Sequence, residues 1–139
     1  MKSKWPIYTN KEIKKVNEIV KSNKVNYWTG NEGKKFEIEF SNFFNIKYST
    51  AITNASVGLE CALKALNIKE GDEVIVPSKS YVSSASCVVN IKAKPIFSDI
   101  DLNSQNISLD KIKKLINKKT KVIICVHLGG YPCEMKKIS

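Results

Sequence analysis

The sequence predicts an α/β fold in which a mostly parallel sheet carries helices on both faces. From residue 47 onward, short apolar runs alternate with stretches of helical periodicity, as they do in consecutive βαβ units. The chain has 139 residues, of which 42% are hydrophobic and 26% charged, and this is the size and balance of one globular domain. We therefore expect one sheet with a helical crossover between successive strands.

Two helices are predicted ahead of the sheet. Thr9 and Glu12 have the spacing of a capping box, and the apolar residues that follow share one helical face over residues 10–22. A second amphipathic helix is predicted over 32–44, where four phenylalanines recur at helical spacing. We interpret this aromatic stripe as core packing; it consists of Phe36, Phe40, Phe43 and Phe44.

The alternating part of the chain contains four apolar runs that predict strands. They are YSTAIT (48–53), EVIVP (73–77), KPIFSDI (94–100) and KVIICVH (121–127). The intervening segments predict helices over 56–67, 81–91 and 108–117, with Ser108 as the N-cap of the last one. No internal repeat and no low-complexity linker interrupts this order.

The charge pattern argues against nucleic acid as a partner. The net charge is +10, but all 23 basic residues are lysines, scattered along the chain, and arginine is the usual reader of guanine edges. There is no long apolar run, and the basic N-terminus lacks the apolar stretch of a signal peptide. We therefore expect a soluble, cytoplasmic chain that binds neither nucleic acid nor membrane.

The four cysteines show no CxxC pair and no spacing typical of metal ligands. They are Cys61, Cys87, Cys125 and Cys133, and we interpret them as reduced, mostly buried thiols. His127 and Cys133 offer two ligands without a third, so no metal site is predicted.

The turn after the first predicted strand, residues 53–56, is a candidate phosphate cradle. Ligands of open parallel sheets bind where strands end and helices begin. We expect Ser56 to act as the N-cap, leaving the amides of Val57 and Gly58 to face an anion, with Gly58 permitting a close approach. The alternative is an ordinary helix cap that binds nothing.

The next two turns bring further candidates to the same edge of the sheet. Tyr81 begins a helix and can lay its ring over a flat heteroaromatic ligand, or else be a partly buried core residue. Asp99 and Asp101 follow the third strand, where they either receive polar ligand groups or stabilise their own loop.

Four segments together resemble the DegT/StrS family of pyridoxal-phosphate-dependent sugar aminotransferases. They are YWTGNEGKKFEIEFSNFF, GDEVIVPSKSYVSSAS, KPIFSDIDLNSQNI and TKVIICVHLGGYPCEM, and the likeness covers about residues 27–138. The resemblance implies part of the large domain of the PLP-dependent transferase fold type I. It divides the chain into an N-terminal helical segment (1–26) and the N-terminal part of the cofactor-binding domain (27–139).

The resemblance also implies roles for individual residues. Ser56, with the backbone of Val57, matches the positions that hold the cofactor phosphate, and Tyr81 matches the aromatic residue that stacks on the pyridine ring. At the position of Val57 the family more often has Ser or Ala, and at the position of Gly58 it more often has Ala. The aspartate and the covalently bonding lysine of the family lie beyond the matched segments, so no catalytic residue is predicted among these 139. Lys79 is the lysine nearest the expected pocket, and no role is assigned to it.

The implied activity is transfer of an amino group from an amino acid, usually glutamate, to a keto sugar on a nucleoside diphosphate. Pyridoxal 5′-phosphate is the expected cofactor and a homodimer the expected assembly of the complete enzyme, which acts in polysaccharide or cell-surface sugar biosynthesis. For these 139 residues alone, we expect weak or no binding of the cofactor. The alternative is a non-catalytic truncated homologue or interaction module. A generic nucleotide-binding domain is disfavoured, because no GxGxxG or GxxxxGK[ST] turn follows any predicted strand.

Overall fold

The computed structural model describes residues 5–139, which divide into two compact units. The first unit ends at Ala51, and the second runs from Ile52 to Ser139. The boundary expected between residues 26 and 27 stays a prediction. Within residues 5–139, none of the helices combines the length and the apolar composition that a membrane span requires.

The first unit contains helix α1 (Asn10–Lys21) and helix α2 (Glu32–Phe44). The predicted capping box is confirmed: the Thr9 amide donates to a Glu12 carboxylate oxygen at 2.6 Å, and the Glu12 amide donates to Thr9 Oγ1 at 3.3 Å. Helix α2 ends where Asn45 adopts a left-handed conformation with φ 52°. Both helices thus begin and end almost where periodicity and capping predicted.

The interpretation of the α2 aromatic stripe as core packing is wrong for the described residues. The rings contact one another, with centroids 5.9 Å apart for Phe36 and Phe40 and 4.6 Å apart for Phe40 and Phe44. Yet all of them are exposed, and the Phe43 side chain is 82% accessible. Helical spacing puts apolar residues on one face, but burial needs a second element to cover that face.

The predicted strand at 48–53 does not form. Instead, the segment hydrogen-bonds to α2: the Ala51 amide donates to Glu37 Oε1 at 2.8 Å, and the Ser49 hydroxyl donates to the Glu37 carbonyl oxygen. A strand needs a neighbouring strand edge, and no strand of residues 5–139 pairs with this segment. The apolar alternation was therefore misleading here.

The second unit contains a three-stranded parallel sheet in the order β2-β1-β3. The central strand β1 is Glu73–Pro77, as predicted, and the edge strands are β2 (Lys94–Ser98) and β3 (Thr120–Ile123). In the register, Ile75 lies opposite Ile96 on one side and Ile123 on the other. The edge strands are shorter than predicted, because the chain beyond them turns into loops at the carboxyl edge.

Helices cover both faces of this sheet, which confirms the predicted fold class. They are α3 (Ala55–Ala65), α4 (Ser83–Asn90), α5 (Leu109–Leu115) and the short α6 (Met135–Ile138). Ser108 is the N-cap of α5, as predicted, but its side chain makes no capping hydrogen bond. A 3₁₀ turn, Leu128–Gly130, follows β3.

The two faces of β1 supply two separate hydrophobic clusters. Val74 and Val76 point to one face, where they pack with Leu63 of α3 and Val88 of α4. Ile75 points to the other face, in a cluster with Ile107, Ile112 and Cys133. Alternation along a strand that is buried on both sides places one apolar set in each cluster.

Replacing Ile75 with Ala should lower the free energy of unfolding by about 2–5 kcal/mol, because the side chain is fully buried and its loss leaves a cavity. Urea denaturation measures this change. Ile116→Ala is the matched control, since Ile116 is 53% exposed, and it should change the stability by about 0.5 kcal/mol or less. Equal losses in the two variants would contradict the assigned core.

Candidate functional site

Asn54, and not Ser56, caps helix α3. Asn54 is extended, with φ −165° and ψ 166°, and its side-chain oxygen accepts the Val57 amide at 3.0 Å. The Gly58 amide donates to the Asn54 carbonyl oxygen at 3.1 Å. The predictions that Ser56 is the N-cap and that the Val57 and Gly58 amides are free are therefore wrong, since an asparagine two residues earlier already occupies the cap.

The first turn of α3 nevertheless retains unused donors. The amides of Ala55 and Ser56 and the Ser56 hydroxyl make no hydrogen bond to any residue of 5–139. Ser56 is exposed, so these three donors are open to solvent. Unpaired amides at the start of an 11-residue helix carry a partial positive charge that favours an anion.

Gly58 is packed against its own unit rather than left open for a ligand. A Cβ atom at Gly58 would meet the Ile52 Cδ1 atom at 2.1 Å. The glycine thus makes room for the Ile52 side chain beneath the first turn of α3. The close approach that the sequence predicted exists, but the approaching group is Ile52.

Tyr81 lies in the loop between β1 and α4, two residues before the helix. The loop is held by hydrogen bonds from the Ser78 amide to the Ser98 carbonyl oxygen, 2.9 Å, and from the Ser84 amide to the Tyr81 carbonyl oxygen, 3.0 Å. Its side chain is 74% exposed and makes no hydrogen bond or ring contact within residues 5–139. The alternative of a partly buried core tyrosine is therefore wrong, and the ring face is open.

The structure places Ser56 and Tyr81 at the starts of two helices that belong to one layer. Leu59 and Leu63 of α3 and Val88 of α4 share the same hydrophobic cluster. The Asn90 side chain also joins the two helices by donating to a Glu60 carboxylate oxygen at 3.3 Å. No hydrogen bond joins Ser56 to Tyr81, so a ligand that used both would have to bridge them.

Lys79 and the two predicted aspartates have partners within the protein. The Lys79 ammonium donates to Gln105 Oε1 at 2.6 Å, and the Asp99 carboxylate lies 3.6 Å from the Lys111 ammonium. Asp101 accepts the Ser104 amide at 2.8 Å, and this hydrogen bond is the main cause that lowers its pKa. These contacts favour the interpretation that the aspartates stabilise their loop.

Sequence analysis missed Asn106, which joins two loops at the carboxyl edge of the sheet. Its side chain is buried, donates to the Tyr131 carbonyl oxygen at 2.9 Å and accepts the Leu128 amide at 3.1 Å. It lines a cavity of about 670 Å³ together with Asp110, Glu134 and other residues of the two segments. Nothing in the sequence distinguishes Asn106 from its polar neighbours.

This cavity does not match the predicted cofactor site. Neither Ser56 nor Tyr81 lines it, and the carboxylates of Asp101, Asp110 and Glu134 make it unsuitable for a phosphate. Among residues 5–139, no group of three or more His, Cys, Asp or Glu side chains is arranged to hold a metal ion. The donors at the start of α3 remain the better anion site.

Residues 6–139 match the sequence profile of the DegT/DnrJ/EryC1/StrS aminotransferase family. The chain belongs to this family. It is 42% identical over 133 residues to the GDP-perosamine synthase of Escherichia coli O157:H7, a match that covers 96% of the chain and 36% of that protein. The family resemblance inferred from the four segments is thus confirmed.

Solved structures agree with this assignment. The aminotransferase from Psychrobacter cryohalolentis superposes with a TM-score of 0.94 at 46% identity, covering 98% of the chain and 34% of that protein. A Streptococcus pneumoniae protein assigned as a sugar aminotransferase, in its PLP form, superposes with a TM-score of 0.87 at 31% identity. This match covers 96% of the chain and 33% of that protein. The chain therefore spans about a third of the length of these relatives, and its fold is that part of the aminotransferase fold.

Asn54→Ala should lower the free energy of unfolding by about 1 kcal/mol, because it removes the cap of α3. Ser56→Ala is the matched control at the same helix end. It should change stability by no more than about 0.5 kcal/mol, because the Ser56 hydroxyl has no partner. Urea denaturation of both variants checks the assignment; the opposite order would restore Ser56 as the cap.

Proposed function

We propose that this chain supplies the phosphate-holding and ring-stacking part of a PLP-dependent aminotransferase. The enzyme would transfer an amino group from an amino-acid donor, with glutamate as the expected donor, to a keto sugar on a nucleoside diphosphate. Membership in the family and the similarity to a GDP-perosamine synthase support the substrate class. We place the reaction in polysaccharide or cell-surface sugar biosynthesis, with a homodimer as the working assembly.

The observation that carries this proposal is the set of open donors at the start of α3. Two free amides and the Ser56 hydroxyl offer three hydrogen bonds to phosphate oxygens, and the helix end adds favourable partial charge. These donors fit a phosphate monoester. Val57 remains a predicted cofactor contact, although its amide already donates to Asn54 and would have to share its hydrogen.

Tyr81 would hold the other part of the cofactor. Its exposed ring, on a loop fixed by backbone hydrogen bonds, can lie against one face of a pyridine ring and exclude water from it. Pyridoxal phosphate, when bound, carries the amino group and withdraws electrons from the reacting carbon. We assign no proton transfer and no covalent bond to any residue of 1–139, Lys79 included, since its ammonium is engaged by Gln105.

A second candidate, a non-catalytic interaction module, is favoured by one observation. Helix α2 exposes its aromatic stripe, with Phe43 82% and Phe36 58% accessible. Apolar surface of this kind is typical of association sites. If association without cofactor binding were the function, pyridoxal phosphate would not bind, whereas Phe43→Ser would abolish self-association or partner binding as seen by size-exclusion chromatography.

Substitutions of Ser56 and of Tyr81 should change the affinities for pyridoxal phosphate and for pyridoxal in different ways. Ser56→Ala should weaken binding of pyridoxal phosphate about tenfold, as expected for one lost hydrogen bond to a charged group, and leave binding of pyridoxal unchanged, because pyridoxal has no phosphate. Tyr81→Ala should weaken both ligands by up to about tenfold through lost stacking. Equilibrium dialysis measures the affinities.

Tyr81→Phe is the matched control, because it keeps the ring and removes only the hydroxyl, and it should bind both ligands like the unchanged chain. If Ser56→Ala weakened pyridoxal and pyridoxal phosphate equally, Ser56 would not be the phosphate anchor. Unaltered binding in Tyr81→Ala would exclude the stacking role.

Borohydride treatment of this chain with pyridoxal phosphate should not fix the cofactor to one lysine. The family resemblance assigns the role of the covalently bonding lysine to none of the 23 lysines. Peptide mapping by mass spectrometry after reduction checks this, with free lysine-rich peptide as the control for non-specific labelling. One stoichiometric adduct, at Lys79 or elsewhere, would refute our assignment of binding without covalent chemistry.

A further inference from the structure

Two cysteine thiols lie together at the carboxyl edge of the sheet, apart from the proposed cofactor site. Cys125 follows β3 and Cys133 precedes α6, and both belong to the cluster around Ile75. The Cys133 sulfur lies 3.2 Å from the carbonyl oxygen of Val126, the residue directly after Cys125. Cys133 is buried and Cys125 is half-buried. Neither has a role in the proposed function.

Hydrogen bonds fix the position of Cys133 relative to the end of β3. Its amide donates to His127 Nδ1 at 3.0 Å, and its thiol lies 3.2 Å from the Val126 carbonyl oxygen. Cys125 is the residue directly before Val126, so the same bonds hold the Cys133 sulfur beside it. The segment between the cysteines, residues 126–132, forms a loop whose two ends meet.

We propose that Cys125 and Cys133 form an intramolecular disulfide when the chain meets a hydroperoxide. One thiol, as its thiolate, attacks the peroxide, which breaks the O–O bond, releases water and leaves a sulfenic acid. The second thiol then attacks that sulfur, forms the S–S bond and releases a second water. Two thiols and one hydrogen peroxide thus give one disulfide and two waters, with sulfur oxidised and oxygen reduced.

Either thiol can take the first step, since Cys125 is half-buried and Cys133 buried, and attack by the other sulfur completes the same disulfide in both cases. Burial raises the pKa of both thiols, which makes the protonated pair the resting form. The first oxidation is accordingly slow at neutral pH, and proximity favours the disulfide once one of the two sulfurs has become a sulfenic acid.

The disulfide would close the loop that forms one wall of the 670 Å³ cavity. Tyr131 and Pro132 lie in that loop and line the cavity, and the Tyr131 carbonyl oxygen accepts from Asn106 on the opposite segment. A covalent link across the loop ends would restrict how far this wall can move. Oxidation therefore acts on the loop at the sheet edge.

The test begins with the number of free thiols after treatment with hydrogen peroxide. The chain has four cysteines, and in Cys61→Ser, which removes the exposed thiol, titration in denaturant should fall from three thiols to one per chain while the protein stays monomeric on a non-reducing gel. Trypsin then releases residues 122–136, between Lys121 and Lys136, with both cysteines in one peptide. Mass spectrometry should show this peptide lighter by two hydrogen atoms and restored by dithiothreitol.

Three variants provide the controls. Cys125→Ser should form no disulfide. Its three remaining thiols should stay reduced, or Cys133 should gain one oxygen. Cys61→Ser and Cys87→Ser should still form the disulfide within the 122–136 peptide, because the buried Cys87 thiol packs in the other hydrophobic cluster and donates to the Ser84 carbonyl oxygen at 3.6 Å. The peptide mass of the unchanged chain decides the matter even if a variant does not fold.

Two results would overturn the proposal. One is an unmodified 122–136 peptide after peroxide has consumed thiols elsewhere, for example in a Cys61 cross-linked dimer. The other is loss of two thiols in Cys125→Ser. Because neither readout involves pyridoxal phosphate, failure here would leave the proposed function standing, and failure of cofactor binding would leave this proposal standing.

Discussion

Burial of strand β1 on all sides is the constraint on which the second unit depends. All five of its residues, Glu73–Pro77, are buried. Its backbone pairs with β2 and β3, and its side chains alternate between two clusters, so both faces need a covering layer. Even the carboxylate at its start is satisfied, since Glu73 accepts Asn117 Nδ2 at 2.7 Å. The positions of α3, α4 and α5 follow from this one strand.

The proposed site follows from the same arrangement through the loops at the carboxyl edge. Every loop there has to satisfy its own backbone before it can serve a ligand, and the structure shows which groups are left over. Asn54 uses the Val57 and Gly58 amides, which leaves Ala55 and Ser56. Hydrogen bonds from the Ser78 and Ser84 amides hold the backbone around Tyr81 and leave its ring exposed to solvent. The donors that a ligand can use are thus the ones that capping of α3 leaves unpaired.

In the first unit, local interactions define the helices, whereas tertiary packing buries very little of them. Its helices have strong local signals, a capping box on α1 and a left-handed asparagine after α2, yet within residues 5–51 only Gly30 is buried. Local capping and periodicity suffice to predict where a helix begins and ends. They carry no information about what covers the apolar face of that helix.

The sequence by itself determined the fold class, the family, strand β1 and the boundaries of helices α1 to α5 to within a few residues, because each depends on short-range periodicity and caps or on the order of motifs. The short helix α6 was not predicted. The sequence also singled out Ser56 and Tyr81. The choice of Asn54 over Ser56 as the cap is local, and residue type does not decide it because both are good N-caps. Only the tertiary structure decided that Ser49 and Ala51 bond to α2 instead of pairing as part of a strand. It alone brought Cys133 to the segment after β3 that contains Cys125, and Asn106 between two loops. The physical reason is that these outcomes depend on which of several competent partners lies within hydrogen-bonding distance after the chain has packed.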